Sequence, residues 1–340
     1  MAAIAHYCSF DTKRRRVTGA AHSQGPMVNI QLAENFRAVF YAPFYACLEL
    51  GWFRDRGLEV TLVASPSPGA GIADMLRGDV HLVWGGPMRV LKDRDQNPTG
   101  PHSLVAFGEV AARDPFYLVG RPGLEPFALS ALPTLRLATV SEVVTPWLCL
   151  QQDLRDLGID PSTIRRHADA PMADNLRALA TGQIDVAQLF EPFVSRALEE
   201  GIGQPLHAAH ARGPTAYTTF LSTVENIERH GEAFSAMAEA LARFGPWMNA
   251  EGPRELGRLV GHLYPQLAPD LLERCLARCH QTAIWSCQPQ VSRAGFHRLA
   301  KSLASARFIS QVAAYEDCVA PWAQEPAQRL APPTSRASGP

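Results

Sequence analysis

Two stretches of the 340-residue chain, 76-LRGDVHLVWGGPMRVL-91 and 179-LATGQIDVAQLFEPFVSRAL-198, share one rhythm. Each stops a helical run at a glycine (Gly78, Gly182), runs through an apolar strand and reaches a proline (Pro87, Pro192) that opens the next helix. Val80-His81 in the first falls beside Ile184-Asp185 in the second. Outward from the first copy, strand-like runs at 27–33, 58–64, 80–84, 104–110 and 116–119 alternate with helical runs at 39–57, 72–77 and 88–94. Outward from the second, strands at 135–140, 164–168 and 184–189 alternate with helices at 146–158, 172–180 and 192–200. From about 222 the chain reads as mostly helical, with runs at 224–250, 255–264, 270–279 and 292–309. Strands and helices alternating through short turns predict a parallel α/β architecture. Two related halves predict a bilobed molecule, lobe one being 27–115 with about 216–322 and lobe two 116–215. A ligand cleft would then lie beyond the carboxyl ends of the strands. One long sheet is the other arrangement the pattern allows.

Bulk composition narrows the class. With 46% hydrophobic residues the chain can bury a substantial core. A net charge of −1 supplies no general pull toward nucleic acid or an anionic membrane. Seven cysteines, at 8, 47, 149, 275, 279, 287 and 318, are odd in number and irregular in spacing, which reads as buried thiols and not as a disulfide framework. No apolar run is long enough for a spanning helix.

The ends read as disordered tails, 1–26 and 323–340. Lys13 to Arg16 could open an export signal, but the residues that follow are not the apolar core such a signal needs. Met1 and Met27 are both candidate starts. As written, the chain is expected in the cytoplasm; with a different start, in the periplasm.

The order of motifs carries a resemblance. The stretches "APFYACLELGWFRDRGLEVTLV", "IADMLRGDVHLVWGG", "LATGQIDVAQLFEPFVSRALEEG" and "YEDCVAP" resemble those of the periplasmic-binding-protein-like proteins that bind thiamine-pyrimidine precursors, aliphatic sulfonates and similar solutes for ABC transporters. The eukaryotic thiamine-pyrimidine synthase belongs to the same superfamily. The likeness spans roughly residues 28–322. It implies a type II periplasmic-binding fold with hinged lobes and a C-terminal helical segment. It also implies a small planar or anionic ligand and an ABC permease as possible partner. No cofactor and no nucleic-acid partner is expected, and the chain is not expected to span a membrane. Exported members carry a signal peptide or lipobox, and no Leu-x-x-Cys stands in residues 1–26.

Candidate ligand-binding residues follow the strands. Asn35, Phe36 and Tyr41, after the first, could stack on or hydrogen-bond a planar ligand, or Asn35 could simply cap the helix. Gly85 and Gly86 let backbone approach a ligand at a helix start, and Arg89 could pair with a carboxylate, sulfonate or phosphate or lie on the surface. Glu109 could accept from an amino-pyrimidine or make a hinge hydrogen bond. Ser141 and Thr145 are candidate caps of the helix at 146–158, in a loop that contacts ligand in the resembling binders; Glu142 opposes an anion unless it turns away. Glu191, placed opposite Glu109, suits a cationic or donor ligand or charges a helix start, and Tyr217 reaches either the cleft or the core.

Enzyme readings meet missing residues. The pyrimidine synthase uses a lysine and a histidine where this chain has 83-VWGGPMRVL-91, and a cysteine-rich iron-binding run that is absent here. A desulfinase of the superfamily uses a cysteine after the first strand, where 34–40 has none. Cys275, Cys279, His280 and Cys287 lack zinc-knuckle spacing and read as core thiols, and His81 as a core histidine. The alternative function is a cytoplasmic enzyme on the same fold, acting on an aromatic or pyrimidine-type substrate with Glu109 or Glu191 as general base.

Overall fold

The computed structural model describes residues 27–325; the expectations for 1–26, Cys8 and 326–340 lie outside the described residues. The chain builds two sheets in turn. It begins with β1 (Val28–Glu34), α1 (Ala42–Glu49), β2 (Leu58–Ala64), α2 (Pro68–Arg77), β3 (Leu82–Gly85), α3 (Met88–Gln96) and β4 (Leu104–Ala111). It then crosses to a second unit: β5 (Tyr117–Gly120), β6 (Arg136–Ala138), α4 (Thr145–Asp156), β7 (Arg165–Arg166), α5 (Met172–Ala180), β8 (Val186–Leu189), α6 (Phe193–Glu199) and β9 (Gln204–Ala208). It returns with β10 (Thr218–Thr223), α7 (Val224–Leu241), α8 (Phe244–Val260), α9 (Pro269–Gln281), β11 (Trp285–Gln288), α10 (Arg293–Ser305) and α11 (Tyr315–Cys318). Among the described residues no helix is long and apolar enough to cross a membrane.

The sheets have the orders β11-β4-β10-β3-β1-β2 and β7-β6-β8-β5-β9. The repeat read from the sequence is therefore topological: β2-β1-β3 in one sheet matches β7-β6-β8 in the other, all parallel. Purely parallel pairing, however, is not what forms. β10 runs antiparallel to β3 and β4, and β5 antiparallel to β8 and β9. Each of these strands enters its sheet from the other unit, so it arrives from the opposite end. The edge strands β9 and β11 were not legible: 204-QPLHA-208 starts on a Gln-Pro pair and 285-WSCQ-288 lacks alternation. The strand expected at 164–168 shrinks to β7, two exposed arginines at a sheet edge.

Other expectations change for local reasons. The single helix expected at 39–57 is a 3-10 turn, then α1, then a second 3-10 turn, because Gly51 (φ 70°) takes a left-handed conformation that ends α1. The helix expected at 224–250 breaks between α7 and α8, and α8 itself kinks at Gly252-Pro253. Residues 323–325 are not a tail: Ala323 is fully buried, and its carbonyl accepts from Val291 N at 2.9 Å. His81 precedes β3 and is half-buried; its Nδ1 accepts from Gln31 N at 2.9 Å. Its counterpart Asp185 holds Arg121 and Arg136 at 3.0 and 2.9 Å.

The first sheet's core is aromatic. Phe44 stacks on Trp84 at 4.5 Å, and Phe107 packs on Phe220 and Phe234 at 5.3 and 5.2 Å. The two segments that cross between the sheets, 112–116 and 209–217, are tied by charge. Arg212 Nη1 lies 2.5 Å from Asp114 Oδ2, and its Nη2 lies 2.5 Å from Asp153 Oδ2 on α4. The Arg212 side chain is 8% exposed and that of Asp114 0%. Burial alone would lower the Arg212 pKa, but the two carboxylates outweigh it and raise it, so the guanidinium stays charged. Removing one partner of such a cluster strands a buried charge. Arg212→Met should therefore lose about 3–5 kcal/mol in urea unfolding, and Arg212→Met with Asp114→Asn should recover part of it.

Candidate functional site

A small cavity of about 40 Å³ lies between the two sheets. From the first unit it takes Phe36, Phe40, Tyr41, Gly86, Met88, Arg89, Tyr217 and Thr218, and from the second Phe116, Val143, Thr145 and Phe190. It thus sits beyond the carboxyl ends of β1, β3 and β8, where α/β sheets place ligands. Its walls are aromatic and cross between the units. Phe40 meets Phe190 edge-on at 5.2 Å, Phe116 meets Phe190 at 5.0 Å, and Phe40 meets Tyr41 at 4.5 Å.

The polar side of the cavity is positive. Arg89, on the first turn of α3, is half-buried, and among the described residues its side chain makes no hydrogen bond or ion pair. Burial lowers its pKa from the ordinary arginine value, an effect that Tyr41 partly opposes. Tyr217 Oη is buried without a hydrogen-bond partner among the described residues. The helix starts beside them are open as well. α3 follows Pro87 and α4 follows Val144, neither with a side-chain cap. Ser141 and Thr145 therefore do not cap α4 as expected: Ser141 is exposed, its N–H donating to Ala170 O at 3.1 Å, and Thr145 is the first residue of the helix. An uncapped helix start carries partial positive charge and free N–H groups. Two of them, one from each unit, adjoin the cavity with Arg89.

The paired glycines have separate tasks. A Cβ on Gly86 would stand 3.0 Å from the Tyr217 carbonyl, so the glycine admits the returning chain. A Cβ on Gly85 would meet the Arg89 stem at 3.8 Å; Gly85 itself lies in β3 opposite Thr219 and does not line the cavity. Of the residues singled out from sequence, Phe36, Tyr41, Gly86, Arg89, Thr145 and Tyr217 come together here. Asn35 turns back to accept from Phe36 N at 2.7 Å.

The two glutamates lie elsewhere. Glu109 is buried, accepting from Ser286 Oγ at 3.1 Å and Ser292 N at 3.3 Å. Glu191 is buried against Arg278 of α9 at 2.5 Å and accepts from Ser195 N and Oγ. Glu142 turns to accept from Met172 N at 2.9 Å. No carboxylate lines the cavity among the described residues. Phe40, Met88, Phe116, Val143, Phe190 and Thr218 line it without having been singled out. Phe190, next to Glu191 at the end of β8, had a positional signal; Phe40 read as one more core residue of a long helix. Cys275 and Cys279 are buried on α9, and Cys287 is buried with its Sγ toward Val110 O.

Burial pushes the Glu109 carboxyl up to about 8, against the opposing effect of Ser286 and Ser292. The folded chain then keeps a proton that the unfolded chain releases above about 4.5. The resulting stabilisation is full below that pH and is lost as pH rises toward 8, by at most about 1.4 kcal/mol per pH unit. Glu109→Gln should flatten this slope in melts run from pH 5 to 9 and raise Tm at pH 8 above that of the unaltered protein.

Known proteins share this fold. Residues 124–256 match the model of the NMT1-like family. The chain is 21% identical over 277 residues to the putative binding protein YtlA of Bacillus subtilis (strain 168), covering 79% of this chain and 81% of that one. The periplasmic aliphatic sulphonate binding protein SsuA of Escherichia coli superposes with a TM-score of 0.66 at 14% identity, over 87% of this chain and 98% of that one. This chain has the periplasmic-binding-protein fold. The ligand-binding component of an ABC-type import system from Staphylococcus aureus, solved with zinc bound, superposes with a TM-score of 0.65 at 16% identity, over 87% of this chain and 97% of that one. The resemblance read from the sequence, to sulfonate-type and other ABC substrate-binding proteins, therefore holds.

Proposed function

We propose that this protein is a solute-binding protein for ABC-type uptake and that it holds a small anion between two hinged lobes. The observation that carries the reading is Arg89, a desolvated cation without an acid partner among the described residues, set between two uncapped helix starts. The lobes are 27–115 with 216–322, and 116–215, joined at the segments that Arg212 ties. Both lobes touch the ligand only when closed, so binding shifts the open–closed equilibrium and presents the closed form to a permease. Such a role places the protein outside the cytoplasmic membrane, as in the periplasmic protein it resembles. Glu109 and Glu191, the general bases of the enzyme reading, are held away from the cavity by other partners, which supports binding over catalysis.

Thermal shift against small anions and neutral molecules of matched size tests this. An anion at a hundred times its Kd should add about 2.7 kcal/mol of stability. Arg89→Gln should weaken that anion at least tenfold while leaving the unliganded Tm the same or higher, since it removes an unpaired charge. Equal stabilisation by neutral molecules, with affinity unmoved by Arg89→Gln, would sink the reading.

A further inference from the structure

The cavity's charge and walls narrow the ligand further. Arg89 is the one full charge among the lining residues; no lysine, histidine, aspartate or glutamate joins it. One guanidinium balances one negative charge. A phosphate dianion would bring a second charge into an apolar site with only helix-end dipoles to meet it. A neutral aminopyrimidine would leave Arg89 unpaired and find no carboxylate to take its amino hydrogens. Tyr41 lies near enough to Arg89 for each to act on the other's charge, so its hydroxyl stands beside the guanidinium in the cavity wall. The rest of the lining is aromatic on both sides. Phe40 from one unit and Phe190 from the other touch edge to face across the space, and Phe116 backs Phe190. The space is small, about 40 Å³, and these rings form much of its wall. What restores such contacts when the units part is another flat ring, which an alkyl chain cannot mimic.

Resting on the anion-binding reading above, we propose that the site takes a monoanionic aromatic acid, its acid group on Arg89 beside Tyr41 and its ring against Phe40 and Phe190. Titration calorimetry on the full chain at pH 8 tests this with benzoate, benzenesulfonate, hexanesulfonate and phenyl phosphate. One of the two aryl monoanions should bind at least tenfold tighter than hexanesulfonate and than phenyl phosphate, and the pair distinguishes a carboxylate from a sulfonate site. Tyr41→Phe should weaken it severalfold, and Phe190→Leu should lower the aryl-to-alkyl ratio; circular dichroism melts establish that each variant is folded. Hexanesulfonate binding as tightly as the aryl acids overturns the ring assignment and leaves the anion reading standing. Phenyl phosphate binding tightest overturns the single-charge assignment. If no anion in the set binds and Arg89→Gln alters nothing, both readings fall.

Discussion

Arg212 is the point on which the architecture turns. The chain passes between its two sheets twice in the described residues, and an arginine on the return segment grips an aspartate on the outward one. The two segments also bond backbone to backbone, Thr215 N donating to Ala112 O at 2.7 Å and Ala209 N to Phe116 O at 2.9 Å, and the buried pair with Asp153 on α4 adds the charged tie. Burying the three charges is expensive, and it is tolerable only because each carboxylate is met by the same guanidinium. The crossing also fixes what stands beside it. Phe116 lies two residues beyond Asp114 and Tyr217 five beyond Arg212, and both line the cavity. The tie that joins the units therefore sets two walls of the site.

Buried acids elsewhere explain why the cavity can be positive. Glu191, just ahead of α6, is spent on Arg278, and Glu199 at the end of α6 pairs with Arg274, so both ends of this helix are fastened to α9. Glu142 is spent on a helix start and Glu109 on two serines. Each of these acids has a partner of its own, and none lines the cavity. The guanidinium is left with a tyrosine for company, an arrangement that costs stability and that an anion, on the reading proposed above, would relieve.

Much of this was legible from residue order. The glycine-stopped helix, apolar strand and proline of each copy placed β3 and β8 correctly, because short local signals decide such elements. The site was half legible. Residues just after strands were found where strands end, which caught Phe36, Gly86, Arg89 and Thr145. Glu109 and Glu191 look like ligands in one dimension, but their partners Ser286, Ser292 and Arg278 come from helices and strands late in the chain. Phe40 and Phe116 were hidden for the opposite reason: an apolar ring at a cavity and one in a core have the same sequence signature. β9 and β11 depend on neighbours and not on their own propensities, so pairing created them.

The repeat has a consequence for how a guest must sit. At matching stations the two copies have diverged: Gly86 stands before Pro87 in the first, where Phe190 and Glu191 stand before Pro192 in the second. The first copy keeps a bare backbone and projects an arginine; the second fills the station with a ring and turns its acid away. A duplicated scaffold has become a polarised one, with a head end and a tail end. Under the binding role proposed above, a guest finds its charge partner on the first copy only, so the two copies favour one orientation although rings from both meet the rest of it.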